Sequence, residues 1–234
     1  MISLSKFFKE SQWTQVVVLL LLLLLFAIGS VSGYLTGKWQ WQQLAPVTSL
    51  KELKHIRNSG LTLPGWQNVE QTEQEIGEHK WSLQLIKNQD SQTQAILLLL
   101  PQNGPMDKPE VEWTEVNGWG KSRWGKWEIA QYRSAQFTVK QPTETKVEAR
   151  FFRASTPQTT FGVLQWYALP NGGNPSPLNW FLADQLAQWR KQRVPWVAVS
   201  VLIPMEPLGQ VEKIWSLAES IGETIQAALM AHLL

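Results

Sequence analysis

The stretch VPWVAVSVLI, residues 194–203, decides the fold of this chain. It carries no charged residue and alternates valine with other apolar residues almost without interruption. A run of this length and character is typical of a strand that is buried on both faces in the middle of a sheet. We therefore expect a sheet with this strand near its centre, and helices and further strands on either side of it in sequence.

Helices are predicted on both sides of the central strand. Ser176 has the position of an N-cap and Pro177 that of the first helical residue, so a helix should run from there to Arg193. A second helix is predicted from about Leu208 to His232, and a short one from Leu50 to Asn58. The helix that begins at Pro177 carries an apolar stripe formed by Leu178, Phe181, Leu182, Leu186 and Trp189.

Strands are predicted where aromatic and β-branched residues are frequent and turns with Pro, Gly or Asn follow. The predicted strands cover residues 80–87, 93–100, 127–139, 146–154 and 160–169. The fold class expected from these elements is α+β. It consists of an N-terminal transmembrane helix followed by one domain with a mostly antiparallel sheet and two amphipathic helices.

The transmembrane helix is predicted from an uncharged window that follows a short polar tail at residues 1–10. Val16–Leu35 gives about 20 largely apolar residues, or roughly 30 Å of helix, which matches a bilayer core. We expect an anchor over residues 11–37, a linker over 38–48 and the domain over 49–234. Cleavage after Ser32, as in a signal peptide, is the alternative.

Composition excludes several classes of function. Lys and Arg number 21 against 19 Asp and Glu, so the charge gives no basis for a nucleic-acid partner. The chain has no Cys and only three His, which leaves no thiolate chemistry and no expected metal or cofactor. The closest carboxylate cluster is Glu110, Glu112 and Glu115. It is interpreted as a solvated acidic segment, and no catalytic residue is predicted.

Tryptophan is unusually frequent, with 14 in the chain. Trp119, Trp124 and Trp127 alternate with basic residues, and indole rings stack on sugars, attract cations and pack at interfaces. The alternative is that these rings fill a core. A second group of candidates lies on two neighbouring predicted strands, where arginine beside aromatics can bind a carboxylate or phosphate. An edge-strand salt bridge would explain the same arginines. This group contains Arg150, Arg153, Trp166 and Tyr167.

Four segments give the chain a family resemblance. They are WGKWE (124–128), QWYALPNGG (165–173), WFLADQL (180–186) and RVPWVAVS (193–200). With the N-terminal apolar segment, they resemble the cyanoexosortase B system-associated proteins, which are similar to accessory proteins found with exosortases in exopolysaccharide gene clusters. The likeness runs from about Trp113 to the C-terminus.

The resemblance implies a non-enzymatic accessory protein with a single membrane span and an extracytoplasmic domain. Its expected partners are the membrane, through Val16–Leu35, and an exosortase-like, polytopic cysteine transpeptidase, with a sorted substrate protein or a glycan as a further partner. Two other classes stay open from the residues alone. One is a secreted or anchored carbohydrate-binding module, and the other is a hydrolase that uses Glu110, Glu112 or Glu115.

Overall fold

In the computed structural model, the described residues are 13, 15–27, 45–77, 79–111, 113 and 127–232. The chain divides into two compact units, residues 1–44 and 45–234. In the first unit, residues 15–27 are helical and their side chains are exposed. Much of the predicted tail, anchor and linker lies outside the described residues.

The predicted single-pass membrane anchor is wrong. No helix within the described ranges combines the length and the apolar character that crossing a membrane requires. The localisation as a single-pass membrane protein therefore has no support in the structure.

The second unit is built mostly of strands. Three α-helices and one 3-10 helix accompany them among the described residues: α1 (Leu50–Ser59), α2 (Pro177–Gln188), the 3-10 helix (Val211–Ile214) and α3 (Trp215–His232). The eight strands are β1 (Trp66–Ile76), β2 (His79–Asn88), β3 (Gln94–Pro101), β4 (Glu128–Val139), β5 (Thr145–Ser155), β6 (Thr160–Leu169), β7 (Gly172–Asn174) and β8 (Val197–Met205).

All eight strands form one sheet in the order β1-β2-β3-β8-β6-β7-β5-β4, with an additional pairing of β6 and β5. Strand β8 lies between β3 and β6, so the apolar run at 194–203 does supply the centre of the sheet. The short strand β7 pairs with β5 in parallel at Val147 and Gly173, which makes the sheet mixed.

The predicted fold class is also wrong. The structure is a mostly-sheet fold with a mixed sheet, whereas the prediction was an α+β domain behind a transmembrane helix. Two strands were missed: β1 because its polar residues show no apolar alternation, and β7 because three residues after Pro170 looked like part of a turn. The other strands lie close to their predicted positions, and β6 has the predicted bounds.

Both faces of the sheet are buried along most of its width. On one face, here called the helical face, α1 packs over β2 and β3 and α3 packs over β4 and β6. The other face, here called the aromatic face, carries a second core rich in large rings. These rings come from Trp81, Trp113, Trp127, Phe152, Phe161, Tyr167, Trp180 and Trp196.

Candidate functional site

The predicted binding residues do not form one site, because neighbouring residues of a strand point to opposite faces of the sheet. Arg150 and Tyr167 lie on the aromatic face, whereas Arg153 and Trp166 lie on the helical face. Trp119 and Trp124 lie outside the described residues. The remaining candidates therefore lie in different surroundings.

Trp166 is a core residue. Its ring is fully buried and meets the Phe137 ring edge-on at 5.6 Å between centroids. Its Nε1 donates to Oε1 of Gln226 on α3 at 2.8 Å, and the Gln226 amide nitrogen donates to the carbonyls of Leu169 and Gly172 at 3.1 and 2.9 Å. This buried polar group joins α3 to the β6–β7 turn, and it leaves the Trp166 ring no access to a ligand.

Tyr167 and Trp127 are also used in packing. The Tyr167 hydroxyl accepts from the Val111 amide at 3.0 Å and donates to the Val111 carbonyl at 3.4 Å, which fixes the segment that follows β3. Trp127 is buried and stacks on Phe161 at 6.2 Å between centroids. Both rings therefore take part in packing on the aromatic face.

The two arginines of β5 differ in their surroundings. Arg153 donates from a guanidinium nitrogen to the carbonyl of Gly209 at 3.2 Å, which ties β5 to the loop before the 3-10 helix. Arg150 lies over the rings of Tyr132 and Phe152, at 5.5 and 6.0 Å from their centroids. The ion pairs found among the described residues involve neither arginine.

The acidic cluster offers no catalytic geometry in its described part. Glu110 is exposed and lies 3.9 Å from Lys108, while Glu112 and Glu115 lie outside the described residues. Within the described ranges, no three His, Asp or Glu side chains come close enough together to hold a metal ion.

Helix α2 begins as predicted. The Ser176 hydroxyl accepts from the Leu178 amide at 3.3 Å, and Pro177 occupies the first turn, where its missing N–H costs nothing. The helix ends at Gln188, five residues before the predicted end at Arg193, because residues 190–193 turn back toward β8. Only Trp180 and Asp184 of α2 are buried.

The contacts of Asp184 explain why α2 buries the side of the helix that carries this carboxylate. Its carboxylate accepts from Nε of Arg193 at 2.9 Å, from the Val194 amide at 2.9 Å and from the Gln188 amide nitrogen at 2.8 Å. Arg193 also donates to the carbonyl of Pro105 and lies 5.7 Å from the Trp180 ring centroid. The buried charge is thus paired and hydrogen-bonded, which is the condition for its burial.

The apolar stripe of α2 consequently faces away from the sheet. Its five side chains are between 49% and 87% exposed, with Trp189 the most exposed of them. We call this surface the α2 face, and it consists of Leu178, Phe181, Leu182, Leu186 and Trp189. The helix periodicity identified these residues, but their side chains are exposed and do not pack against the sheet. Asp184 lies on the opposite side of the helix from the stripe, and its buried pair with Arg193 accounts for this orientation.

Comparison of the chain with protein-family models, with curated proteins and with solved structures found no match.

Proposed function

We propose that this chain is a non-enzymatic accessory protein that acts beside an exosortase-like transpeptidase, and that it docks on that enzyme through the α2 face. The resemblance to exosortase-associated accessory proteins supplies the partner. Two of the four segments that carry the resemblance meet at this helix. WFLADQL lies within α2 and contains Asp184, and RVPWVAVS begins with Arg193 and Val194, which donate to Asp184, and continues into β8.

The observation that carries the proposal is the exposure of the α2 face. A surface helix normally buries its apolar stripe, and a contiguous exposed apolar surface is a common mark of a protein–protein interface. Full burial of a Leu or Phe side chain is worth about 2 kcal/mol, so each of these partly exposed chains offers roughly 1 kcal/mol to a partner. Together they can supply several kcal/mol of binding free energy, with Trp189 as an aromatic anchor.

The charges around the α2 face indicate which kind of partner surface it can bind. The one acidic residue of α2, Asp184, is buried, whereas Arg190 and Lys191 after the helix are exposed. The face therefore suits an apolar helix with an acidic residue near one end, packed along α2 over about 17 Å from Leu178 to Trp189. Asp184 is already bound by three donors, which supports a role in positioning α2 over one in acid–base chemistry.

Co-purification from the native host after mild detergent extraction tests the proposal. The full-length chain should retain the transpeptidase, and the variant Phe181→Ser/Leu182→Ser should lose it, because the loss of roughly 2 kcal/mol lowers the affinity about 30-fold. Leu208→Ser is the matched control, because Leu208 is 91% exposed and lies outside α2. Loss of the transpeptidase in the control as well, or its full retention by the double variant, would contradict the proposal.

A further inference from the structure

A β-bulge in β4 gives the outer part of the sheet an unusual surface. Ala130 pairs with Arg153 and Arg133 with Phe151, so β4 places two residues, Gln131 and Tyr132, where β5 has only Phe152. Bulges of this kind redirect side chains and are frequent next to functional sites. Here the following residue, Arg133, lies on the helical face with its guanidinium 4.7 Å from the Trp215 ring centroid, while Tyr132 lies on the aromatic face.

The bulge is held in a strained backbone conformation. Gln131 has φ of 52°, in the left-handed region that residues other than Gly adopt at a cost of about 1 kcal/mol or more. Its side-chain oxygen accepts from the Val211 amide at 2.8 Å, which stabilises the bulge from the 3-10 helix. Strain of this kind is concentrated at functional sites.

Tyr132 is presented as a flat and rigid aromatic surface. Its ring stacks on the fully buried Phe152 ring, with 6.1 Å between centroids and 24° between planes. The guanidinium of Arg150 supports it at 5.5 Å. Nevertheless, Tyr132 is 55% exposed, so part of the ring is open to solvent. An aromatic ring that is held by its neighbours and yet partly exposed can stack on the apolar face of a sugar ring.

Polar side chains extend the surface from Tyr132 along the aromatic face of β4 and β5. Ser134 pairs with Arg150, and Gln136 pairs with Glu148, and the side chains of Ser134, Gln136 and Glu148 are exposed. Glu148 is itself held by the Asn174 amide nitrogen at 2.7 Å. Hydroxyl, amide and carboxylate groups that are fixed on neighbouring strands are the usual partners of sugar hydroxyls. We call this surface the Tyr132 platform: Tyr132, Ser134, Gln136, Glu148 and Arg150.

The charged side chains on and beside the Tyr132 platform favour the binding of an anionic ligand. The Arg150 side chain makes no hydrogen bond or ion pair with any described residue, and its buried Nε has no partner there. Lys146, which pairs with Thr138 on the same face, is exposed and adds a second positive charge against the single carboxylate of Glu148. A guanidinium with free donors binds a carboxylate through two parallel hydrogen bonds.

We infer that the Tyr132 platform binds an acidic oligosaccharide, with Tyr132 stacked on a sugar ring and Arg150 bound to the carboxylate of a uronic acid unit. The buried Phe152 and the bulge at Gln131 position the ring before the ligand arrives, which lowers the entropic cost of binding. This site is separate from the α2 face and does not depend on the proposed partner of that face.

Isothermal titration of the full-length chain tests the inference with two probes of equal length, an oligogalacturonate and a neutral malto-oligosaccharide. The acidic probe should bind at least tenfold more tightly than the neutral one, and its affinity should fall as salt is added. Tyr132→Ala and Arg150→Gln should each weaken binding about tenfold, whereas Tyr132→Phe should retain it, because the ring still stacks.

Arg190→Gln is the control, since Arg190 is an exposed cation on another part of the domain. Thermal melts of every variant show that it is folded, and exposure of Tyr132 means that Tyr132→Ala should melt close to the parent chain. The inference is overturned if neither probe binds, if both bind equally, or if Arg190→Gln weakens binding as much as Arg150→Gln.

Discussion

The orientation of α2 can be tested by two substitutions on opposite sides of the helix. Asp184→Ala removes the carboxylate on the buried side, and Leu182→Ser removes an apolar group on the exposed side. In an ordinary amphipathic helix the leucine substitution would be the damaging one. In this structure we expect the opposite: Asp184→Ala should destabilise the domain more than Leu182→Ser.

The size of the effect follows from the contacts of Asp184. Its side chain is 2% exposed and that of its partner Arg193 is 11% exposed, so removal of the carboxylate leaves a charge that is buried without a partner. Breaking a buried pair in this way costs about 3 to 5 kcal/mol. The Val194 amide and the Gln188 side chain lose their acceptor as well. Leu182→Ser, in contrast, should change the free energy of unfolding by less than about 0.5 kcal/mol.

Urea unfolding of the full-length chain, followed by tryptophan fluorescence, measures both changes. For a domain of this size 1 kcal/mol corresponds to about 2 to 4 °C, so Asp184→Ala should also melt at least about 6 °C lower. The double variant Asp184→Ala/Arg193→Ala should recover part of the loss, because it removes the unpaired charge. A large loss of stability with Leu182→Ser and none with Asp184→Ala would refute the orientation of α2 described here.

Three further predictions concern other parts of the domain. Gln226→Leu removes the acceptor of the buried Trp166 Nε1 and the amide donor to the carbonyls of Leu169 and Gly172, so it should lower the unfolding free energy by about 2 kcal/mol or more in urea titrations. Gly172→Ala should lower the melting temperature by several degrees, because φ is 129° there and a Cβ would lie 2.3 Å from the Lys146 carbonyl oxygen. Gly65→Ala is the control, because Gly65 also has a positive φ but a Cβ there would meet no neighbouring atom. The difference between the two variants measures the cost of the clash alone. Gln131→Gly relieves the left-handed strain at this residue but loses the hydrogen bond to the Val211 amide, so the free energy of unfolding should change by no more than about 1 kcal/mol. In the same variant, sugar binding should weaken if the bulge positions Tyr132.

The strands of the sheet were predictable where the sequence carries long apolar or aromatic runs between turn residues. Strand β6 lies at the predicted residues, and β8 occupies the predicted central position although it begins at Val197, not Val194. Strand β1 was not predictable from alternation, because it is an edge strand whose residues are mostly polar and exposed. Its position depends on pairing with β2, which is a tertiary interaction.

The candidate site was less predictable than the fold. Arg150 and Arg153 are three residues apart on one strand, and Trp166 and Tyr167 are adjacent on the next. Since side chains alternate along a strand, the members of each pair had to lie on opposite faces of the sheet. Tyr132 lies on the same face as Ser134 and Gln136 by regular alternation, but its place beside Arg150 depends on the register in which β4 pairs with β5, which is a tertiary interaction. The orientation of α2 depended on whether Asp184 would find a partner, and Arg193 comes near it only when the chain turns back to β8.

Site-specific photo-crosslinking at the α2 face tests the docking claim most directly. A benzophenone amino acid replaces Leu182 in one variant and Leu208 in the control, and both are expressed with the exosortase-like transpeptidase. We expect a crosslink to an apolar helix of the transpeptidase from position 182 and none from position 208. Equal crosslinking from both positions, or none from position 182 in a folded protein, would contradict it.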